Sequence, residues 1–167
     1  NERVANILLA IYKTKKTYGL ASVELSSGQI NILEVDEKTL LEDIIEQYQP
    51  AETLLSEGFE YDSMESLNRI ITKRPEWHFN QKSAESIIKQ QYEIQDLNGF
   101  GCQHLSAAIS ALGCLIQYLN DTQKILLPHL QPPRINLANE TIQIDAVSRR
   151  NLEIESSLIE GKFHSLL

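Results

Sequence analysis

With 167 residues and 42% hydrophobic content, the chain is long enough to bury a core, and its 23% of charged residues is ordinary for a globular domain. Fifteen basic against twenty-three acidic residues give a formal net charge of −8, which disfavours a general phosphate-binding surface. No run approaches the roughly 18 apolar residues of a membrane span, and the first residues lack the regions of a signal peptide. We therefore expect a soluble domain that is not exported.

The first part of the chain is predicted to form a three-stranded antiparallel meander. Residues 4–12 are apolar on both faces, as in a central strand, and residues 18–25 alternate. The "SSGQ" run at 26–29 supplies a glycine for a tight turn, and "INILEV" follows as the third strand. The basic run "KTKKT" at 13–17 is predicted to be a solvated hairpin tip.

The hydrophobic period then becomes helical. Asp36 is predicted to cap a helix that Pro50 ends, and a short strand follows at residues 53–55. A second helix is predicted to begin with an aspartate version of a capping box and to bury an apolar stripe. Its residues are Asp62 and Glu65 in the box and Leu67, Ile70 and Ile71 in the stripe.

The alternation of strands and helices continues to about residue 121. "EWHF" at 76–79 is short and aromatic, which predicts a strand with Trp77 as a core anchor. Apolar residues at helical spacing predict helices over 83–92 and 104–121. The order βββαβαβα predicts an α/β fold, a ribonuclease-H-like mixed sheet with a C-terminal helical extension.

Proline content marks the expected end of this domain. Three of the five prolines lie within residues 126–134, a stretch that is predicted to be extended. We expect a domain over 1–121, a linker with a short hairpin over 122–144, and a truncated first helix of a further domain over 145–167. That last helix carries an asparagine, Asn151, in its apolar stripe, and no partner for it is evident.

No catalytic, cofactor-binding or metal site is predicted. Cys102 and Cys114 fit no zinc pattern and are predicted to be buried, reduced thiols. The four histidines are scattered, and "NGFG" at 98–101 lacks the context of a phosphate-binding loop. The first strand has no carboxylate to hold a metal ion, and Glu24 on the second strand is read as a lone solvated carboxylate.

Motifs along nearly the whole chain resemble those of the MutS family of DNA mismatch repair proteins, in the bacterial form. "DAVSRRNLEI" at 145–154 is similar to a signature near the start of the family's core domain. Further matches follow the family's order: "YGLASVELSSGQI", "RPEWHF", "DLNGFG", "ALGCLIQYLNDTQK" and "LPHL". Glu24 stands where the family commonly has Asp, a change that keeps the charge.

The resemblance implies the connector domain and the start of the core, or lever, domain. The connector would be non-catalytic, would link the mismatch-binding domain to the core, would relay interdomain movement and would offer a docking surface for MutL. The resemblance leads us to expect this surface near residues 83–92, with Ser86, Lys89 and Gln90 as contacts. Arg149, Arg150 and Asn151 would pack against absent core neighbours.

The remaining activities of the family would lie outside this chain. The mismatch-reading domain would precede Asn1, and a P-loop ATPase that uses ATP and magnesium would follow Leu167. The parent would be a cytoplasmic homodimer, associated with the nucleoid when active, and would bind mismatched duplex DNA, which this part alone would bind weakly or not at all. Two alternatives remain open, a ribonuclease-H-like metal-dependent nuclease and a free-standing protein-interaction module.

Overall fold

A computed structural model describes residues 6–59 and 70–136. Its first three strands are antiparallel neighbours, β1 (Ile7–Lys13), β2 (Tyr18–Glu24) and β3 (Gln29–Val35). Most residues of β1 and β2 are buried whichever way they point, because both strands lie inside the sheet and both faces are covered. The predicted meander is confirmed, and Lys15 and Lys16 form the exposed tip of its first hairpin.

Three further strands complete a mixed sheet of six. They are β4 (Glu52–Ser56), β5 (Ile71–Arg74) and β6 (Arg134–Ile135). The strand order is β5-β4-β1-β2-β3-β6, with β1/β4, β4/β5 and β3/β6 paired in parallel. The fold is therefore a mixed α/β domain in which a central antiparallel meander is extended on both edges by parallel strands.

Three α-helices are described, α1 (Lys38–Tyr48), α2 (Gln81–Tyr92) and α3 (Ser106–Thr122). Short 3-10 segments occupy Glu76–Phe79, Asn98–Phe100 and Lys124–His129. Helices α2 and α3 share a core with alternate residues of the central strands, and α1 buries its own apolar stripe. None of the helices in the described ranges has the length and apolar character needed to cross a bilayer.

Helix α3 approaches the sheet and α2 very closely. A Cβ atom on Gly19 of β2 would lie 2.1 Å from the carbonyl carbon of Ala107, and one on Gly113 of α3 would lie 2.3 Å from the Cβ of Ala84 on α2. Real Cβ atoms essentially never come this near to another heavy atom. The two glycines therefore set how deeply α3 can sit between the sheet and α2.

The position of the fifth strand differs from the sequence prediction. Residues 76–79 form a 3-10 segment, so the predicted strand there is wrong. The strand instead occupies Ile71–Arg74, where the β-branched Ile71 and Thr72 favour extended backbone, and Pro75 then separates it from the 3-10 segment. Ile71 is accordingly not part of a helix, and Ile70 is 65% exposed. The predicted helix start at Asp62 lies outside the described residues.

Two other predictions about the ends of elements are corrected. Asp36 does not cap α1: the helix is preceded by Glu37 without a side-chain cap, and Asp36 accepts a hydrogen bond from the Thr17 hydroxyl instead. The compact unit runs to Asn136. Residues 124–129 are helical rather than extended, and β6 then pairs with the sheet. The remainder of the predicted hairpin and the helix over 145–167 lie outside the described residues.

Candidate protein-binding surface

Helix α2 presents the residues that the sequence analysis selected. Asn80 caps its start by accepting a hydrogen bond from the Ser83 backbone N–H at 2.9 Å, and Ala84 and Ile88 are buried against the core. The opposite side holds Ser86, Lys89 and Gln90 at the i, i+3 and i+4 spacing of a single helical face. Ser86 and Gln90 are exposed and Lys89 is partly exposed. The structure thus brings the three residues together on an accessible surface.

A groove beside this face runs between α2 and α3. Its volume is about 260 Å³, and it is lined by Ile87, Gln90, Gln91, Ile116, Gln117, Asn120 and Leu127. Four of these residues carry side-chain amides, and the other three are apolar. The groove therefore has no ionisable residue in its lining, although the chain as a whole has a net charge of −8. We call it the amide groove. Of the three residues selected from the sequence, Gln90 alone lines the amide groove.

Two of the four side-chain amides of the groove are hydrogen-bonded within the domain, and the other two are not. Gln91 donates to the Leu127 carbonyl at 2.7 Å, and Gln117 donates to Asp121 Oδ1 at 3.0 Å. Gln90 and Asn120 are exposed, and their amides make no hydrogen bond with other described residues. They therefore remain free to donate and accept on the two walls. Gln117 and Asn120 were not predicted from the sequence, because helical periodicity does not show which residue of α3 faces α2.

The "RPEWHF" motif has a mainly structural role. Arg74 pairs with Asp121 at 2.8 Å, donates from Nε to His78 Nδ1 at 3.2 Å, and lies over the Tyr118 ring at 5.0 Å. Burial is the main cause that lowers the pKa of His78, and the charge of Arg74 lowers it further. Through these contacts, Arg74 links the edge strand β5 to the C-terminal end of α3.

Trp77 is the exception within this motif. It was predicted to be a core residue, but it is 67% exposed, and that prediction is wrong. In the 3-10 conformation the neighbouring His78 and Phe79 turn inwards and are buried, so Trp77 projects outwards. Its ring makes an edge-on contact with His78 at a centroid distance of 4.2 Å. Phe79, stacked on Tyr12 at 5.2 Å, is the aromatic anchor that Trp77 was predicted to be.

Three carboxylates of the sheet serve internal contacts. Glu24 accepts from the Ser26 hydroxyl and the Ser27 N–H, each at 2.8 Å, and these hydrogen bonds lower its pKa to about 2. Glu34 accepts from the N–H groups of Ala107 and Ala108 at the start of α3. Glu52 accepts from Tyr118 and Thr72, each at 2.6 Å. Glu24 thus caps the turn after β2, with its carboxylate still in contact with solvent as predicted.

Other predicted groups are placed as follows. Cys102 and Cys114 are buried and free, as predicted, and burial raises the pKa of Cys114 to about 12, so its thiol is protonated and unreactive at neutral pH. Within 6–59 and 70–136, no group of three or more His, Cys, Asp or Glu residues is placed to hold a metal ion. Arg149, Arg150 and Asn151 lie outside the described residues.

The described residues form a mixed α/β domain with a six-stranded mixed sheet. The family model of MutS domain II matches residues 6–131. The chain therefore belongs to the MutS domain II family, which is the connector domain of these DNA mismatch repair proteins. The match contains every quoted motif except "DAVSRRNLEI", which begins beyond it.

Many solved structures show a distant likeness. One of them is T. thermophilus RuvC in complex with a Holliday junction substrate, with a TM-score of 0.47 and 10% sequence identity. The similarity covers 70% of this chain and 96% of that chain. A likeness at this level bears on neither the function nor the site.

Proposed function

We propose that this chain is the non-catalytic connector of a MutS-like mismatch repair ATPase. In this role it joins the mismatch-binding domain to the core, relays nucleotide-dependent movement between them and offers a docking surface for MutL. The observation that carries the proposal is the family match over residues 6–131, which spans almost the whole described α/β domain. The three antiparallel strands flanked by parallel ones support the finer assignment of a ribonuclease-H-like sheet.

The chemistry of the parent would be located in other domains. The chain has no G-x-x-x-x-G-K-[ST] run, so ATP and magnesium would be bound elsewhere in a cytoplasmic, homodimeric parent. Mismatched duplex DNA would likewise be held by the whole protein, since a net charge of −8 repels the phosphate backbone. The engagement of Glu24, Glu34 and Glu52 in structural contacts supports a non-enzymatic role over the nuclease alternative.

The proposed MutL-docking surface consists of the exposed face of α2 together with the amide groove. The apolar side chains of the lining can accept one apolar side chain of a partner, and the free amides of Gln90 and Asn120 can pair with its peptide groups. The lining has no ionisable residue, so the groove favours an uncharged segment. Binding at the groove should therefore depend little on salt concentration.

Calorimetric titration with the N-terminal part of MutL tests this surface. We expect Gln90→Ala and Asn120→Ala each to weaken binding about fivefold, the effect of losing roughly 1 kcal/mol at an interface. Gln103→Ala is the matched control, because Gln103 is an exposed glutamine that lies neither on α2 nor in the groove. Equal affinities for all three variants and the unmodified chain would remove the groove from the interface.

A further inference from the structure

The chain leaves the compact unit through a very short edge strand. Strand β6 pairs with β3 only through Arg134 opposite Asn31 and Ile135 opposite Ile32. Beyond it, the Asn136 N–H donates to the Ile32 carbonyl at 2.9 Å. The unit ends at Asn136. Any force that the following chain exerts on this domain therefore acts first on these few contacts.

A side-chain contact holds the end of this strand. The Asn136 side-chain N–H donates to the Tyr48 hydroxyl oxygen at 2.9 Å. Tyr48 is the last residue of α1, where burial raises the pKa of its phenol. The Asn136 contact thus links the exit of the domain to a helix that is otherwise distant in sequence.

The chain immediately before β6 is anchored independently. The Gln131 N–H donates to the Gly28 carbonyl at 2.8 Å, and the Tyr92 hydroxyl donates to the Gln131 carbonyl at 2.6 Å. Leu130 is buried in the core. Two prolines, Pro132 and Pro133, then follow and lack N–H donors, so the pairing with β3 cannot lengthen in that direction.

We propose that residues 134–136 form a latch that opens while the rest of the domain stays folded, and that Tyr48 and Asn136 are the residues that hold it closed. The latch consists of two paired residues, one backbone hydrogen bond and one side-chain hydrogen bond, with firm anchors upstream. Local openings of low free energy are drawn from regions of this kind. Given the proposed connector function, the latch is the place where movement would pass between this domain and the chain that follows it.

Hydrogen exchange measured by mass spectrometry or NMR tests the latch. Tyr48→Phe removes the acceptor of Asn136, and we expect exchange of the Asn136 amide to accelerate roughly fivefold, the factor for a hydrogen bond of about 1 kcal/mol. Tyr92→Phe is the matched control. It removes a tyrosine hydroxyl from the upstream anchor, so it should leave exchange at 134–136 unchanged. In the unmodified chain, the amides of 134–136 should exchange with a lower opening free energy than the amides of β1 and β2, which shows that the opening is local.

The latch is refuted if Tyr48→Phe does not change exchange at 134–136, or if Tyr92→Phe changes it equally. The role of the latch in passing movement between domains is tested by measuring amide exchange at 134–136 in the parent protein, with and without a non-hydrolysable ATP analogue. Nucleotide-dependent exchange at 134–136 supports that role, and identical exchange in both states overturns it. This result is separate from the MutL titration. Failure of the unmodified chain to bind MutL contradicts the docking function. If MutL binds but Tyr48→Phe leaves exchange at 134–136 unchanged, only the latch is contradicted.

Discussion

Replacement of Gly113 tests the close packing of α3 against α2, the two helices that line the amide groove. Replacement by alanine places a Cβ 2.3 Å from the Cβ and 2.6 Å from the Cα of Ala84, where ordinary contact requires at least 3.4 Å. Overpacking of this kind costs about 1 to 3 kcal/mol and offsets the gain of about 1 kcal/mol in helix propensity. The clash involves backbone, so we take the upper part of that range and expect Gly113→Ala to lower the free energy of unfolding by about 2 kcal/mol.

Urea unfolding, followed by circular dichroism, measures this effect through a lower midpoint at constant slope. Gly99→Ala is the control, since a Cβ at Gly99 would meet nothing within 4 Å, and its stability should be nearly unchanged. The double variant Gly113→Ala, Ala84→Gly should recover only part of the loss, because the approach to the Ala84 Cα remains. A Gly113→Ala protein as stable as the unmodified chain would refute the tight α2–α3 contact.

Three further predictions concern polar groups of the sheet. Glu34 accepts hydrogen bonds from two N–H groups at the start of α3, so Glu34→Ala should lower the free energy of unfolding, measured by chemical denaturation, by about 1 to 2 kcal/mol. Glu34→Gln should lower it less, and equal losses for the two variants would argue against a contribution of the charge. Glu24 has its pKa lowered from 4.5 to about 2, so its stabilisation is complete above pH 4.5 and is lost as pH falls toward 2. After discounting for solvent screening we expect about 1 kcal/mol, and Glu24→Gln should remove that part of the acid dependence in unfolding curves between pH 6 and 2; an unchanged dependence would contradict the turn cap. Thr53→Val should raise the thermal midpoint and add about 1 kcal/mol to the free energy of unfolding, because the buried Thr53 hydroxyl has no hydrogen-bond partner among the described residues; a lower midpoint would indicate a partner for that hydroxyl.

Local patterns predicted most of the fold. The apolar residues of β1, the glycine turn before β3 and the helical spacing in α2 and α3 each act within a few residues, so periodicity and turn chemistry are sufficient for them. Strand β6 was not predicted as a partner of β3. Its pairing joins residues about a hundred positions apart, and a two-residue strand has no periodicity of its own.

The candidate surface was predicted only in part. The exposed face of α2 follows from its own spacing, but the second wall of the groove depends on how α3 is rotated against α2. The close approach of α3 to α2 occurs at Gly113 and that of α3 to the sheet at Gly19, and the role of both glycines is visible only once both partners are placed. Trp77 was misassigned for a similar reason: residue type favours burial, but the 3-10 turn after Pro75 directs His78 and Phe79 inwards instead.

The most direct test of the connector assignment is a calorimetric titration of this chain with the N-terminal part of MutL, performed with and without mismatched duplex DNA. We expect saturable binding that does not require DNA and changes little between low and high salt. Absence of MutL binding, together with salt-dependent affinity for the DNA, would contradict it. Such a result would direct attention to Lys13, Lys15 and Lys16 at the hairpin tip, the densest basic run in the sequence.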